Sequence, residues 1–155
     1  MKGRPRSVER EVAACLTKLL SDIGRCPEPL VRIPVLGRTG PDITYNSLKL
    51  IIDVKSRKAV PACMLAGPGQ LIGTFDGLLG FRLDELPNFS EHWILSPAQS
   101  SKIVMDWLNN MEEWTRANEP DGISAIVLHR PRMPISHSTV IISSSNRSKL
   151  CQRLP

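Results

Sequence analysis

The sequence predicts an α/β fold, with a mixed central sheet of about five strands flanked by helices. Three observations carry this expectation. Apolar runs rich in β-branched residues occur at Leu48–Lys55, Ile123–His129 and Thr139–Ser143, each of strand length. Two longer stretches, Ser7–Asp22 and Ser100–Ala117, repeat their apolar residues at helical spacing. A chain of 155 residues also suits one domain with a real core, so residues 1–155 are read as a single domain.

Taken in order, a basic arm (Met1–Arg6) leads into the first helix, with Ser7 as N-cap and Glu9 and Glu11 in the first turn. Gly24 is placed to stop it. Its apolar stripe is Val12, Ala13, Leu16, Leu19 and Leu20, and Glu9 lies on the edge of that stripe. A carboxylate aimed at a core face costs desolvation unless it meets a cation, which makes Glu9 a candidate site acid. A glutamate that stays exposed and helps the helix dipole fits the same spacing.

Pro29–Leu36 reads as a first strand, broken or at an edge because of Pro34. A turn at Gly37–Pro41 precedes Asp42, Ile43–Tyr45 begins a second strand, and Leu48–Lys55 forms the third. Residues 59–100, rich in Gly, Pro and Ser, read as an irregular insertion with one short strand at His92–Leu95. The Ser100–Ala117 helix carries Ile103, Val104, Trp107, Leu108, Met111 and Trp114 on one side, a stripe suited to packing on the sheet. Two strands and a short basic helix, Ser144–Arg153, complete the chain.

No apolar run reaches the length of a membrane span, and the first residues lead into no signal-peptide apolar region. Cys15, Cys26, Cys63 and Cys151 are scattered without CxxC spacing, which argues against zinc. A cytoplasmic protein with reduced thiols is expected.

The net charge of +5 is unevenly spread. Residues 1–58 carry twelve Lys/Arg against six Asp/Glu, whereas residues 84–121 carry two against eight. From Gly122 onward there are five basic residues and no acidic one. A polyanion is drawn to the first and last segments, although basic ends are often simply solvated. Glu112, Glu113 and Glu119 mark the second helix as an element facing away from such a partner.

The stretch that points to chemistry is Gly40–Lys58. Along a strand, Ile51, Asp53 and Lys55 project one way and Leu50, Ile52 and Val54 the other. A hairpin through Asn46–Ser47 returns Asp42 beside Asp53. Two converging carboxylates repel unless a cation lies between them, and hard oxygen donors suit Mg²⁺ or Mn²⁺. A lysine at their rim can orient water or neutralise a phosphate, as metal-assisted phosphodiester hydrolysis requires. A surface hairpin with an ordinary Asp53–Lys55 ion pair fits the same residues. His129 and His137 flank strand ends without a paired acid and read as ordinary polar residues.

The order Glu9-Arg10-Glu11, Pro41-Asp42 and Asp53-x-Lys55 resembles the PD-(D/E)XK nuclease superfamily, and within it the archaeal-type Holliday junction resolvases. The similarity covers roughly residues 4–58, with Asp53 where those resolvases usually have glutamate. It implies a restriction-endonuclease-like core in which Glu9, Asp42 and Asp53 bind Mg²⁺ or Mn²⁺ and Lys55 assists the attacking water. It further implies that Arg10 and Arg32 contact DNA; Arg38, Arg57 and Lys58 extend the basic surface around the acids. The expected activity is metal-dependent endonucleolytic cleavage, structure-selective on branched DNA, by a homodimer with no membrane association. Another nuclease on the same core, or a non-catalytic DNA-binding module, remains the alternative.

Overall fold

The computed structural model describes residues 5–22, 31–32, 41–45, 49–60, 64–74, 77–89, 94–98 and 101–154. The chain runs through α1 (Pro5–Asp22), β1 (Val31–Arg32), β2 (Ile43–Tyr45), β3 (Leu50–Ser56), β4 (Gln70–Thr74) and β5 (Leu78–Arg82). It continues through β6 (Ile94–Ala98), α2 (Lys102–Asn118), β7 (Ile123–His129), β8 (Thr139–Ser143) and α3 (Arg147–Arg153). Three short 3-10 segments lie at Leu83–Asn88, Ile135–His137 and Ser144–Asn146.

The α/β class and the mixed sheet are as expected, but among the described residues the sheet has eight strands rather than about five. Their order is β1-β2-β3-β7-β8-β5-β4-β6. β3 pairs in parallel with β7 over seven residues, and β7 then pairs antiparallel with β8. The extra strands come from residues 59–100: β6 overlaps the short strand expected at His92–Leu95, of which His92 and Trp93 lie outside the described residues, whereas β4 and β5 correct the reading of the rest as irregular. β4 and β5 form an antiparallel pair, β5 joins β8, and β6 runs parallel to β4. β5 is buried along Leu78–Phe81, so it lacks the polar–apolar alternation that marks a half-exposed strand. Its Gly80 lies between Ile72 and Thr139, where little side-chain space remains.

Two cores cover the two faces of the sheet. One gathers Val12, Leu16 and Leu20 of α1 against Leu50, Ile52, Val127, Val140 and Ile142, with Leu150 of α3. The other gathers Val104, Leu108 and Met111 of α2 against Ile51, Ile126, Leu128 and Ile141. α2 presents a narrower stripe than its sequence promises: Val104, Leu108, Met111 and Thr115 are buried, whereas Ile103 is 51% exposed. Its C-terminal end is clamped where Gly122 enters β7. A Cβ there would lie 2.9 Å from both the Ile51 side chain and the Glu119 carbonyl.

α1 also differs from expectation. Pro5 opens it, a first-turn position where a missing N–H costs nothing. Ser7 is therefore inside the helix rather than its cap, and Glu9 and Glu11 lie beyond the first turn. β7 and β8 have the bounds expected from their composition. Of the expected first strand only Val31–Arg32 is described, and Pro34, Gly24 and the Asn46–Ser47 turn lie outside the described residues.

Candidate functional site

The β2–β3 register decides where the acids go. Ile43 pairs with Ile52, Thr44 with Ile51 and Tyr45 with Leu50 in antiparallel fashion. Asp42 directly precedes this pairing, and its carboxyl meets that of Asp53. The Asp42 backbone N–H donates to the Ile52 carbonyl at 2.9 Å, which holds the end of β2 against β3. Beyond Ile43 the paired ladder ends, and Asp42 lies in a bend. There the Val54 N–H donates to Asp42 Oδ2 at 2.8 Å. The Asp42 side chain thus continues the tie to β3 where the backbone pairing stops.

Its carboxyl is partly buried and its pKa is pushed up to about 7. Burial is the main cause, followed by a hydrogen bond to the Asp53 carboxyl; the nearby charges of Asp53 and Glu9 add to it, and the Val54 N–H opposes it. A hydrogen bond between two carboxyl groups requires a proton on one of them. Below about pH 7 the Asp42–Asp53 pair therefore keeps a proton, and a cation would serve the same electrostatic purpose.

Lys55 follows on the same face of β3, with its Nζ 3.2 Å from Asp53 Oδ2. Both side chains are largely shielded, at 25% and 17% exposure. Glu9 is half-buried on α1, close enough for its charge to act on Asp42. The four expected residues thus divide into a tight trio, Asp42–Asp53–Lys55, and a more distant Glu9. Among the described residues, no group of three or more His, Cys, Asp or Glu side chains is gathered closely enough to hold a metal ion.

The two adjoining carboxyls nevertheless fit a hard divalent ion by their chemistry. Mg²⁺ is commonly held by one or two carboxylates, with water and substrate phosphate oxygens filling the remaining positions. Asp42 and Asp53 would supply those two, from neighbouring positions at the paired ends of β2 and β3.

Of the expected DNA-contacting residues, Arg10 on α1 and Arg57 and Lys58 beyond β3 are exposed. The backbone of Arg32 lies in β1, and Arg38 falls outside the described residues. The acidic part of α2 sits at the far end of β3. Lys49, just before that strand, pairs with Glu119 at 3.7 Å and Asp121 at 3.6 Å. Six residues of strand separate Lys49 from Lys55, roughly 20 Å. The acids of this helix end are thus removed from the carboxylate pair.

One residue of the site was not foreseen from the sequence. Trp107 of α2 has its ring under both Lys55 Nζ and Arg57 Cζ, each 5.3 Å from the centroid. Its position in the helical stripe signals packing, and only the register of α2 across β3 reveals the cations. His129, in contrast, is a satisfied buried residue: Nε2 lies 3.0 Å from the Met133 carbonyl and Nδ1 3.5 Å from Ser56 Oγ. His137 lies 4.0 Å from Asp84, which Arg82 already holds at 2.6 Å.

Compared with family models, curated proteins and solved structures, the chain matches none of them. Among the described residues, no helix is long and apolar enough to cross a membrane.

Proposed function

We propose that this protein is a metal-dependent endonuclease that hydrolyses phosphodiester bonds in DNA on a restriction-endonuclease-like core. The single observation that carries the reading is the juxtaposition of Asp42 and Asp53 on paired strands with Lys55 3.2 Å from Asp53. Asp42 and Asp53 would hold Mg²⁺ or Mn²⁺, with Glu9 acting on them from α1. When bound, such an ion supplies Lewis-acid polarisation of the phosphoryl group and eases formation of the nucleophile.

The residues of the chain do the rest. Lys55 donates hydrogen bonds to the attacking water or to a non-bridging phosphate oxygen, and its charge offsets the negative charge that builds on phosphorus. In hydrolysis the water oxygen bonds to phosphorus as the bond to the leaving oxygen breaks; the water's proton passes to solvent and the leaving oxygen takes a proton from solvent. Arg10, Arg57 and Lys58, all exposed, hold flanking phosphates, with Arg32 and Arg38 as further contacts. The resemblance of residues 4–58 to junction resolvases favours branched DNA, cut inside the cell by a homodimer with one site per subunit.

The test is cleavage of a labelled four-way junction, with linear duplex and flap DNA alongside, in the presence of Mg²⁺. Asp53→Asn and Lys55→Ala are each expected to lower the cutting rate at least roughly a hundredfold. Unchanged cutting by both variants contradicts the assignment. A preference for duplex or flap over the junction would move the protein to another nuclease of the same core.

A DNA-binding module without catalysis is the second reading. What favours it is that Asp42 is already satisfied by the Val54 N–H and Asp53. Salt-sensitive DNA binding with no product at any Mg²⁺ or Mn²⁺ concentration would select it.

A further inference from the structure

We propose that Trp107 is a positioning residue for Lys55: its indole face seats the lysine ammonium at the rim of the carboxylate pair. The inference rests on the nuclease reading above and adds to it a residue from a different element. Lys55 Nζ lies 3.2 Å from Asp53 Oδ2 and 5.3 Å from the centre of the Trp107 ring. They act differently. Asp53 attracts the ammonium by full charge, yet Asp53 is also the group that has to meet a divalent cation. Any cation near Asp53 repels Lys55 at the same time.

The Trp107 ring attracts the ammonium through its quadrupole and carries no net charge, so this attraction does not depend on Asp53 being available. A lysine stem has four rotatable carbons and loses its place easily when its only partner is withdrawn. With the ring beneath it, Lys55 stays at the site whatever Asp53 binds. Arg57 shares the ring at 5.3 Å and also donates from Nη1 to the Ser56 carbonyl at 3.1 Å. The same indole thus orders the first basic residue beyond the strand.

The architecture makes this seat rigid. α2 is anchored to the sheet by Val104, Leu108 and Met111, so Trp107 is held between two buried residues of the helix. Lys55 is locked into β3 by its pairing with β7, where it sits opposite Leu128. Neither partner depends on a loop.

The experiment compares wild type, Trp107→Leu and Trp107→Phe, each with and without Lys55→Ala. Its first readout needs no activity: the Lys55 ε-methylene protons, observed by NMR in metal-free protein, feel the ring current of an indole stacked against them. An upfield position is expected in wild type and Trp107→Phe and its loss in Trp107→Leu, with thermal melting showing that all three are folded. The second readout is single-turnover cleavage at saturating DNA. Trp107→Leu is expected to slow it roughly fivefold with KM little changed, while Trp107→Phe restores most of the rate. In the Lys55→Ala background, Trp107→Leu should add no further loss.

A Trp107→Leu protein that cuts like wild type overturns the inference, as does an equal loss in the Lys55→Ala background. So does a Lys55 signal that is indifferent to residue 107. In each of those cases wild-type cutting leaves the nuclease reading standing. A wild-type protein that cuts no DNA removes that reading, and this inference with it.

Discussion

On the face of β3 that meets α1, Leu50, Ile52 and Val54 continue one apolar core along the strand. On the face that meets α2, burial ends after Ile51, and Asp53 and Lys55 take over. The backbone is the same and the pairing with β7 is continuous, so the difference lies only in side chains at alternate positions. A charge is tolerated on the second face because each has a partner: Asp53 has Asp42 and Lys55, and Lys55 has Trp107. On the proposed reading, the α1 face of β3 carries stability and the α2 face carries the chemistry. Substitutions one residue apart should therefore separate the two.

The largest expected effect is on the stability side. Ile52 is 2% exposed, and Ile52→Ala should cost about 3–4 kcal/mol in urea unfolding through lost burial and the cavity left behind. Asp53→Asn, one position along, should change stability by less than about 1 kcal/mol while removing DNA cleavage. If the two effects were exchanged, the assignment of the faces would be wrong.

Gly122 sharpens the boundary from the other side. Its substitution by alanine places a methyl group against Ile51 and the Glu119 carbonyl, at the tight end of the α2 face. A loss of roughly 2 kcal/mol is expected, with cleavage by the remaining folded protein preserved.

The Asp42–Asp53 pair gives a pH signature. The folded pKa of Asp42 is raised from 3.8 to about 7, so between these values the folded chain keeps a proton that the unfolded chain has released. Stability in chelator should therefore fall as pH rises through that window, and level off above it. Asp42→Asn abolishes the slope and should be the more stable protein at pH 8 by roughly 1 kcal/mol, after allowing for solvent screening at a half-buried group. A slope of the opposite sign would contradict the shared proton. The smallest effect belongs to the solvated Lys102–Asp106 pair at 3.3 Å, where Lys102→Ala should shift stability by no more than about 0.5 kcal/mol.

These contrasts also mark what could be read in the sequence. The alternation of β3, the return of Asp42 beside Asp53 and the bounds of β7 and β8 follow from residue pattern alone, because each depends on neighbours close in the chain or on a strand's own composition. The strands β4 and β5 did not, because β5 is buried almost throughout and its Gly80 resembles a loop residue. Ile103 misled in the opposite sense: helical periodicity places it on the apolar side, but α2 meets the sheet along a narrower line. Trp107 was legible as a packing residue and not as a seat for two cations. That role depends on how α2 crosses β3, which no local pattern encodes.

The central claim is that Asp42 and Asp53 form one cation-holding pair that carries a proton when no metal is present. Calorimetric titration of Mg²⁺ or Mn²⁺ at pH 6, in two buffers of different ionisation enthalpy, measures both metal binding and proton release. The account predicts saturable binding that releases close to one proton per ion, and loss of both in Asp42→Asn. Binding without proton release, or binding unchanged in Asp42→Asn, would contradict it.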